Sequence, residues 1–196
     1  MRSIRIALWI AVVAALIMFG GLYLRQRYAE PQPAPTQVSF GGPFTLVDSK
    51  GQPFASSKLT GRPYAIFFGF THCPDVCPTT LARLVKLRRQ LGSGDGAFQI
   101  VFVTVDPERD GPAEVGKYAN LFDAPVIGLT GSPEQIARVK KNYGIFSEKV
   151  ASGDAYSVDH TASVLLFAKD GQFQSTISPG EGDQAAVGKL RRLTSG

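Results

Sequence analysis

Sulfur and imidazole are scarce in this chain of 196 residues, which has two cysteines, two histidines and two methionines. Each shortage removes a class of function. Both methionines, Met1 and Met18, sit at the amino-terminal end, so no thioether is at hand to assist a soft-metal site elsewhere. The two cysteines, Cys73 and Cys77, stand four positions apart. A structural disulfide there would close too small a loop to stabilise much, and a structural zinc site would lack its fourth protein ligand. A basic stripe interleaved with aromatics is also missing. The net charge of +5 owes much to Arg2, Arg5, Arg25 and Arg27, and residues 31–196 carry 17 basic against 15 acidic side chains. That balance gives no reason to expect nucleic acid. Nor is there a phosphate loop: Gly92-Ser-Gly-Asp-Gly96 falls between a helix and a strand, the reverse of the order that aims backbone N–H groups at phosphate, and reads as a turn. No internal repeat is found.

What is present begins with an uncharged run. Ile6 to Leu24 is nineteen residues without a charge, roughly 28 Å as a helix and close to the thickness of a bilayer core. A cleaved signal peptide is the competing reading, but its apolar region is usually shorter, and no small-x-small pattern follows Leu24. Trp9 and Tyr23 stand where interfacial aromatics sit. The expected organisation is a short cytoplasmic N-terminus (1–5), a transmembrane anchor (6–24), a proline-rich linker (25–37) and one domain (38–196). The linker contains Glu30-Pro-Gln-Pro-Ala-Pro-Thr36, stiff and extended, which lifts the domain off the membrane.

Within the domain, Phe44–Asp48 and Phe54 suggest a small hairpin, and Tyr64–Phe70 is a continuous apolar strand of the kind found in covered sheets. Leu81, Leu84, Val85, Leu87 and Leu91 fall at helical spacing over 78–91. Phe98–Val105 is a second buried strand, followed by a helix over 112–122 and a short strand over 124–129. Ser132-Pro-Glu-Gln135 is a capping box with proline at the first helical position, so a helix should run to about Tyr143. An extra hairpin is expected over 145–158, looping through Ala151-Ser-Gly-Asp154. Thr161–Ala168 and Gln172–Ile177 form a further hairpin turning at Lys169-Asp-Gly171, and a last helix covers 183–193. Parallel crossovers followed by an antiparallel hairpin and a closing helix predict an α/β thioredoxin-like fold: a mixed central sheet flanked by helices, with added β-hairpins.

The chemistry concentrates in Cys73-Pro-Asp-Val-Cys77-Pro78, directly after the first central strand. Two thiols so placed are a redox pair or two soft metal ligands. Each precedes a proline and is pushed towards extended backbone, so neither is expected inside the helix, with Pro78 at its first position and Cys77 at its cap. His160, in Asp159-His-Thr161, is expected at the entrance to the strand 161–168, facing the cysteines. Two thiolates and an imidazole form a three-coordinate soft set suited to Cu(I) and able to hold Cu(II). His72 reads as a strand-end side chain. Asp159 supports the ligands or caps a turn, and Asp75 caps the helix or meets a partner. Asp106-Pro-Glu-Arg-Asp110 is expected to cap a helix through Asp110 and to contribute to partner recognition.

At these residues the chain resembles the Sco/SenC family of membrane-anchored copper chaperones for cytochrome c oxidase. The likeness is carried by Phe67-Phe-Gly-Phe-Thr-His-Cys-Pro-Asp-Val-Cys-Pro78, Val105-Asp-Pro-Glu-Arg-Asp110, Gly128-Leu-Thr-Gly131 and Val158-Asp-His-Thr161. The resemblance implies one copper ion per domain on Cys73, Cys77 and His160. It also implies delivery of copper to, or thiol reduction at, the binuclear copper A centre of oxidase subunit II, with other copper chaperones or thioredoxin-like reductants as further partners. It favours a single-pass bacterial inner-membrane protein, N-terminus cytoplasmic and domain periplasmic, because no Arg- and Ser-rich transit peptide precedes the anchor. The expected protein is a metallochaperone rather than a turnover enzyme. The rival is a thiol-disulfide oxidoreductase or thiol peroxidase of the same fold, against which stand the three-residue gap between the cysteines and the histidine where those enzymes place a proline.

Overall fold

A computed structural model describes residues 2–28, 40–153 and 155–195. It divides into two units, residues 1–38 and 39–196, each described by itself. The first contains helix α1, Arg2–Tyr28. Within it Ile4–Gly21 has a mean hydropathy of 2.2, long and apolar enough to cross a bilayer, and Ile10, Leu16 and Phe19 are exposed along it. The helix runs on through residues 25–28. The remainder of the expected linker, 29–37, lies outside the described residues, as does Asp154 of the expected hairpin loop.

The second unit runs β1 (Thr45–Asp48), β2 (Pro53–Ala55), β3 (Tyr64–Gly69), α2 (Val76–Gln90), β4 (Gln99–Thr104), α3 (Pro112–Ala119) and β5 (Val126–Thr130). It continues with α4 (Pro133–Asn142), β6 (Ser147–Ser152), β7 (Ala155–His160), β8 (Val164–Phe167), β9 (Phe173–Ile177) and α5 (Asp183–Ser195). Seven strands form one sheet in the order β2-β1-β5-β4-β3-β8-β9. The β3, β4 and β5 trio is parallel and the flanking pairs are antiparallel. A connection between parallel neighbours needs a crossover, which α2 and α3 supply.

Every residue of β3 is buried because both faces are covered. On one face Phe67 and Phe102 lie in register, Phe102 packs on Tyr118 of α3 at 4.9 Å, and Gly69 lies against Cys77 of α2. On the other, Phe68 meets Tyr143, just beyond α4, at 5.6 Å. Alternate residues of one strand therefore anchor helices on opposite sides. The predicted capping box on α4 forms in both directions between Ser132 and Gln135.

Two expectations are corrected. Helix α2 starts at Val76 with Asp75 as its cap residue, so Cys77 lies in its first turn with Pro78 immediately after. The first four N–H groups of a helix have no intrahelical partner, so proline in that turn sacrifices no bond and the pre-proline preference is overridden. His160 does not open the next sheet strand. It ends β7, which among the described residues pairs only with β6, and β8 begins at Val164. The ribbon closes through Thr161 N–H to the Phe146 carbonyl at 3.0 Å and Phe146 N–H to Thr161 Oγ1 at 3.1 Å, which consumes the backbone that would have extended β8.

Candidate metal centre

The site sits at the carboxyl end of β3, where ligands of open α/β sheets gather. The chain leaves β3 through Phe70 and turns at Cys73, whose N–H bonds the Phe70 carbonyl. It then enters α2 with the Cys77 N–H donating to Cys73 Sγ at 3.4 Å. The helix N-terminus directs its partial positive charge towards this loop. Cys77 is fully buried and Cys73 half-buried, and both are free thiols. From the ribbon, His160 brings Nε2 to 3.4 Å from Cys77 Sγ. One ligand atom from each of Cys73, Cys77 and His160 lies within 4.8 Å of the others. The topology thus brings together all three residues singled out from the sequence.

The imidazole is oriented from behind. Its Nδ1 lies 3.1 Å from the Thr161 carbonyl; a carbonyl only accepts, so the proton resides on Nδ1 and the Nε2 lone pair faces the sulfur. The rings of Phe67 and Phe70 stand edge-on to it, centroids 6.0 Å and 5.8 Å away. Burial lowers the His160 pKa and so favours the neutral, ligating form. Burial likewise pushes the Cys77 thiol up, with neighbouring Cys73 and Asp110 adding to the effect. A cation entering among the three atoms would displace that proton, which makes binding proton-linked. Cys73 and His160 open into a cleft of about 310 Å³ lined also by Phe70, Pro74, Val76 and Ala162 among others, with Cys77 buried behind them. Two soft thiolates and one borderline imidazole at this separation suit a three-coordinate soft ion, and the same thiols can form a disulfide instead.

The other candidates fall outside the ligand set. His72 is exposed, its Nδ1 3.1 Å from Thr71 Oγ1. Asp75 holds the cap position of α2 with its carbonyl accepting from Thr79 N–H at 3.1 Å but no side-chain bond to a helix N–H; its carboxylate accepts from Thr79 Oγ1 at 3.2 Å. Asp159 is exposed on the cleft rim. Asp110 departs from its expected role, since the cap of α3 is Gly111. Fully buried, Asp110 accepts from Thr71 N–H at 2.8 Å, Thr71 Oγ1 at 2.5 Å and Thr104 Oγ1 at 2.6 Å, pinning the chain two residues before Cys73 to the end of β4. Sequence reasoning also missed Gly69. An ideal Cβ there would come within 2.8 Å of Cys77 Sγ, so the buried sulfur occupies the space that a side chain would fill. Nothing in the local sequence announces this, because the contact is made across the turn.

A mixed sheet that carries two thiols and an imidazole at the exit of its central strand defines a thioredoxin-like domain built for a soft metal. Within that class the chain belongs to the SCO1/SenC family, whose model matches residues 32–195. It is 32% identical to "Protein SCO2, mitochondrial" of Saccharomyces cerevisiae over 97% of this chain and 68% of that protein. Against the mouse SCO2 homolog it is 37% identical and spans 61% of that protein's length. Among solved structures it resembles Bradyrhizobium japonicum ScoI with copper bound, at 40% identity and a TM-score of 0.71, covering 79% of this chain and 99% of that one. Yeast Sco1 with copper bound matches at 34% identity and a TM-score of 0.72, covering 80% and 89%.

Proposed function

We propose that this protein is a membrane-anchored copper metallochaperone. Cys73, Cys77 and His160 hold one copper ion, Cu(I) or Cu(II), and pass it to the binuclear copper A centre of cytochrome c oxidase subunit II, or reduce the oxidised cysteine pair of that centre to thiols. The carrying observation is the convergence of the three ligand atoms within 4.8 Å, in a family with copper-bound relatives. In this reading copper is cargo. Half-buried Cys73 is the sulfur an incoming ligand reaches, buried Cys77 and oriented His160 retain the ion until exchange, and neutral His160 supplies the third bond. If the pair instead reduces an acceptor disulfide, two electrons and two protons leave Cys73 and Cys77, which join as a disulfide, and the acceptor becomes a dithiol. The disulfide form has no thiolate and releases the ion.

Helix α1 anchors the domain in the inner membrane of a bacterium, residues 1–5 in the cytoplasm, 6–24 in the bilayer, 25–37 as spacer and 38–196 in the periplasm. There other copper chaperones or thioredoxin-like reductants load and reset it.

The test is an anaerobic copper titration of the reduced full chain in detergent micelles against a competing chelator, with His160→Ala in parallel. One tightly held copper, weakened about tenfold or more by the substitution, is expected. Weak binding, or tight binding indifferent to His160, would overturn the reading in favour of a thiol-disulfide oxidoreductase or peroxidase.

A further inference from the structure

Among the described residues the β6–β7 ribbon makes no strand pairing with the main sheet, yet it carries one of the three ligands at its end. Something other than sheet hydrogen bonds must fix His160 relative to sulfurs that stand on β3 and α2. Lys140 Nζ donates to Ser147 Oγ and Lys149 Nζ to Glu108, each at 2.6 Å, but both hold β6; one polar cluster grips β7 itself. Beyond the end of β4, the buried carboxylate of Asp106 accepts from Arg109 Nε at 2.5 Å and from the Tyr156 hydroxyl at 3.0 Å and 3.2 Å. Arg109 Nη1 donates to the Tyr156 carbonyl at 3.0 Å. Its guanidinium lies 3.7 Å from the Tyr156 ring centroid and 5.8 Å from that of Phe70.

Tyr156 and His160 are four residues apart on β7, hence on one face of the ribbon. Phe70 touches Arg109 on one side and His160 on the other, its ring 5.8 Å from the imidazole at 89°. Arg109 therefore grips both the strand that carries the ligand and the ring that abuts it. Its remaining terminal nitrogen is buried, with no hydrogen-bond partner among the described residues. Lysine could not make the same contacts, because they need a planar fork that bonds and stacks at once.

We infer that Arg109, held by Asp106, is a positioning residue for the metal site: it clamps Tyr156 and Phe70 and thereby sets the distance of His160 Nε2 from the two sulfurs. This rests on the copper-binding reading above, and the test separates the two. Arg109→Gln and Tyr156→Phe are each placed in the wild-type and His160→Ala backgrounds of the full chain in detergent. Anaerobic copper affinity, the thiolate-to-copper(II) absorption band and the thermal midpoint are then read. Arg109→Gln is expected to weaken copper binding about tenfold with a shifted band, and to have no further effect once His160 is gone, since a residue acting through a ligand cannot matter without it. Tyr156→Phe, which removes only the hydroxyl, is expected to give a smaller loss with the same non-additivity, and it decides the matter if Arg109→Gln fails to fold. An equal loss in both backgrounds, or unchanged affinity and band in the wild-type background, would overturn the inference. Weak copper binding by the wild-type chain, or binding indifferent to His160, would sink the metallochaperone reading itself.

Discussion

Single atoms decide what the Cys73–Cys77 loop can do. The sulfur of Cys77 nests where Gly69 lacks a side chain, with the edges of Phe67 and Phe102 at 3.0 Å and 3.1 Å from an ideal Cβ. These neighbours are the buried Cys77 sulfur and two packed rings. Gly69→Ala should therefore displace Cys77 and destabilise the domain by about 1–3 kcal/mol, with weaker copper retention. Urea unfolding and chelator competition read both effects, and unchanged values in both would mean that the sulfur has room to move. Asp110 works through its bonds to Thr71 and Thr104: a buried acceptor meets three donors, so the turn leading to Cys73 is fixed from a neighbouring strand. Its position ahead of Pro112 suggested a cap, and only its burial reveals the different use.

The elements were largely legible because their signals are local. Continuous apolar runs gave β3 and β4, since a strand covered on both faces needs no polar alternation. The Ser132-Pro-Glu-Gln135 box gave α4 because its hydrogen bonds span only three residues. Removing the hydroxyl with Ser132→Ala should cost about 1 kcal/mol, seen as a lower thermal midpoint with copper affinity unchanged, because α4 packs on the face of the sheet away from the cysteines. A fall in affinity would show that the two faces are coupled. Less legible were the start of α2, where first-turn geometry outweighs the pre-proline preference, and the fate of 155–160. That segment has strand-forming residues whichever partner it takes. Whether it joins the sheet or a separate ribbon is settled by Phe146 and Thr161, fifteen positions apart.

Across the whole molecule, the closing helix is tied down by charge. Arg83 Nε bonds Asp183 at 2.9 Å, Lys86 reaches the same carboxylate at 3.1 Å, and Lys189 bonds Glu181 at 2.7 Å. Hydrogen bonding to Arg83 and Lys86 lowers the Asp183 pKa, and that to Lys189 lowers Glu181. Below the ordinary carboxylate range the folded state thus binds fewer protons than the unfolded one. Their contribution is complete above the unfolded values and is lost as pH falls through the folded ones. Thermal midpoints should drop as pH falls below the ordinary carboxylate range, and Asp183→Asn should flatten that drop; an identical profile in the variant would show the pair to be inert. The sequence by itself determined the strand and helix inventory, an apolar segment of spanning length and the residue types of a soft-metal site, because propensity, periodicity and ligand chemistry are written in near neighbours. Tertiary structure alone decided that His160 reaches Cys77 across 83 positions, that the sulfur fills the space of Gly69, and that Asp106, Arg109 and Tyr156 hold a separate ribbon in place. Those are contacts between distant segments, and they exist only once burial has chosen which faces meet.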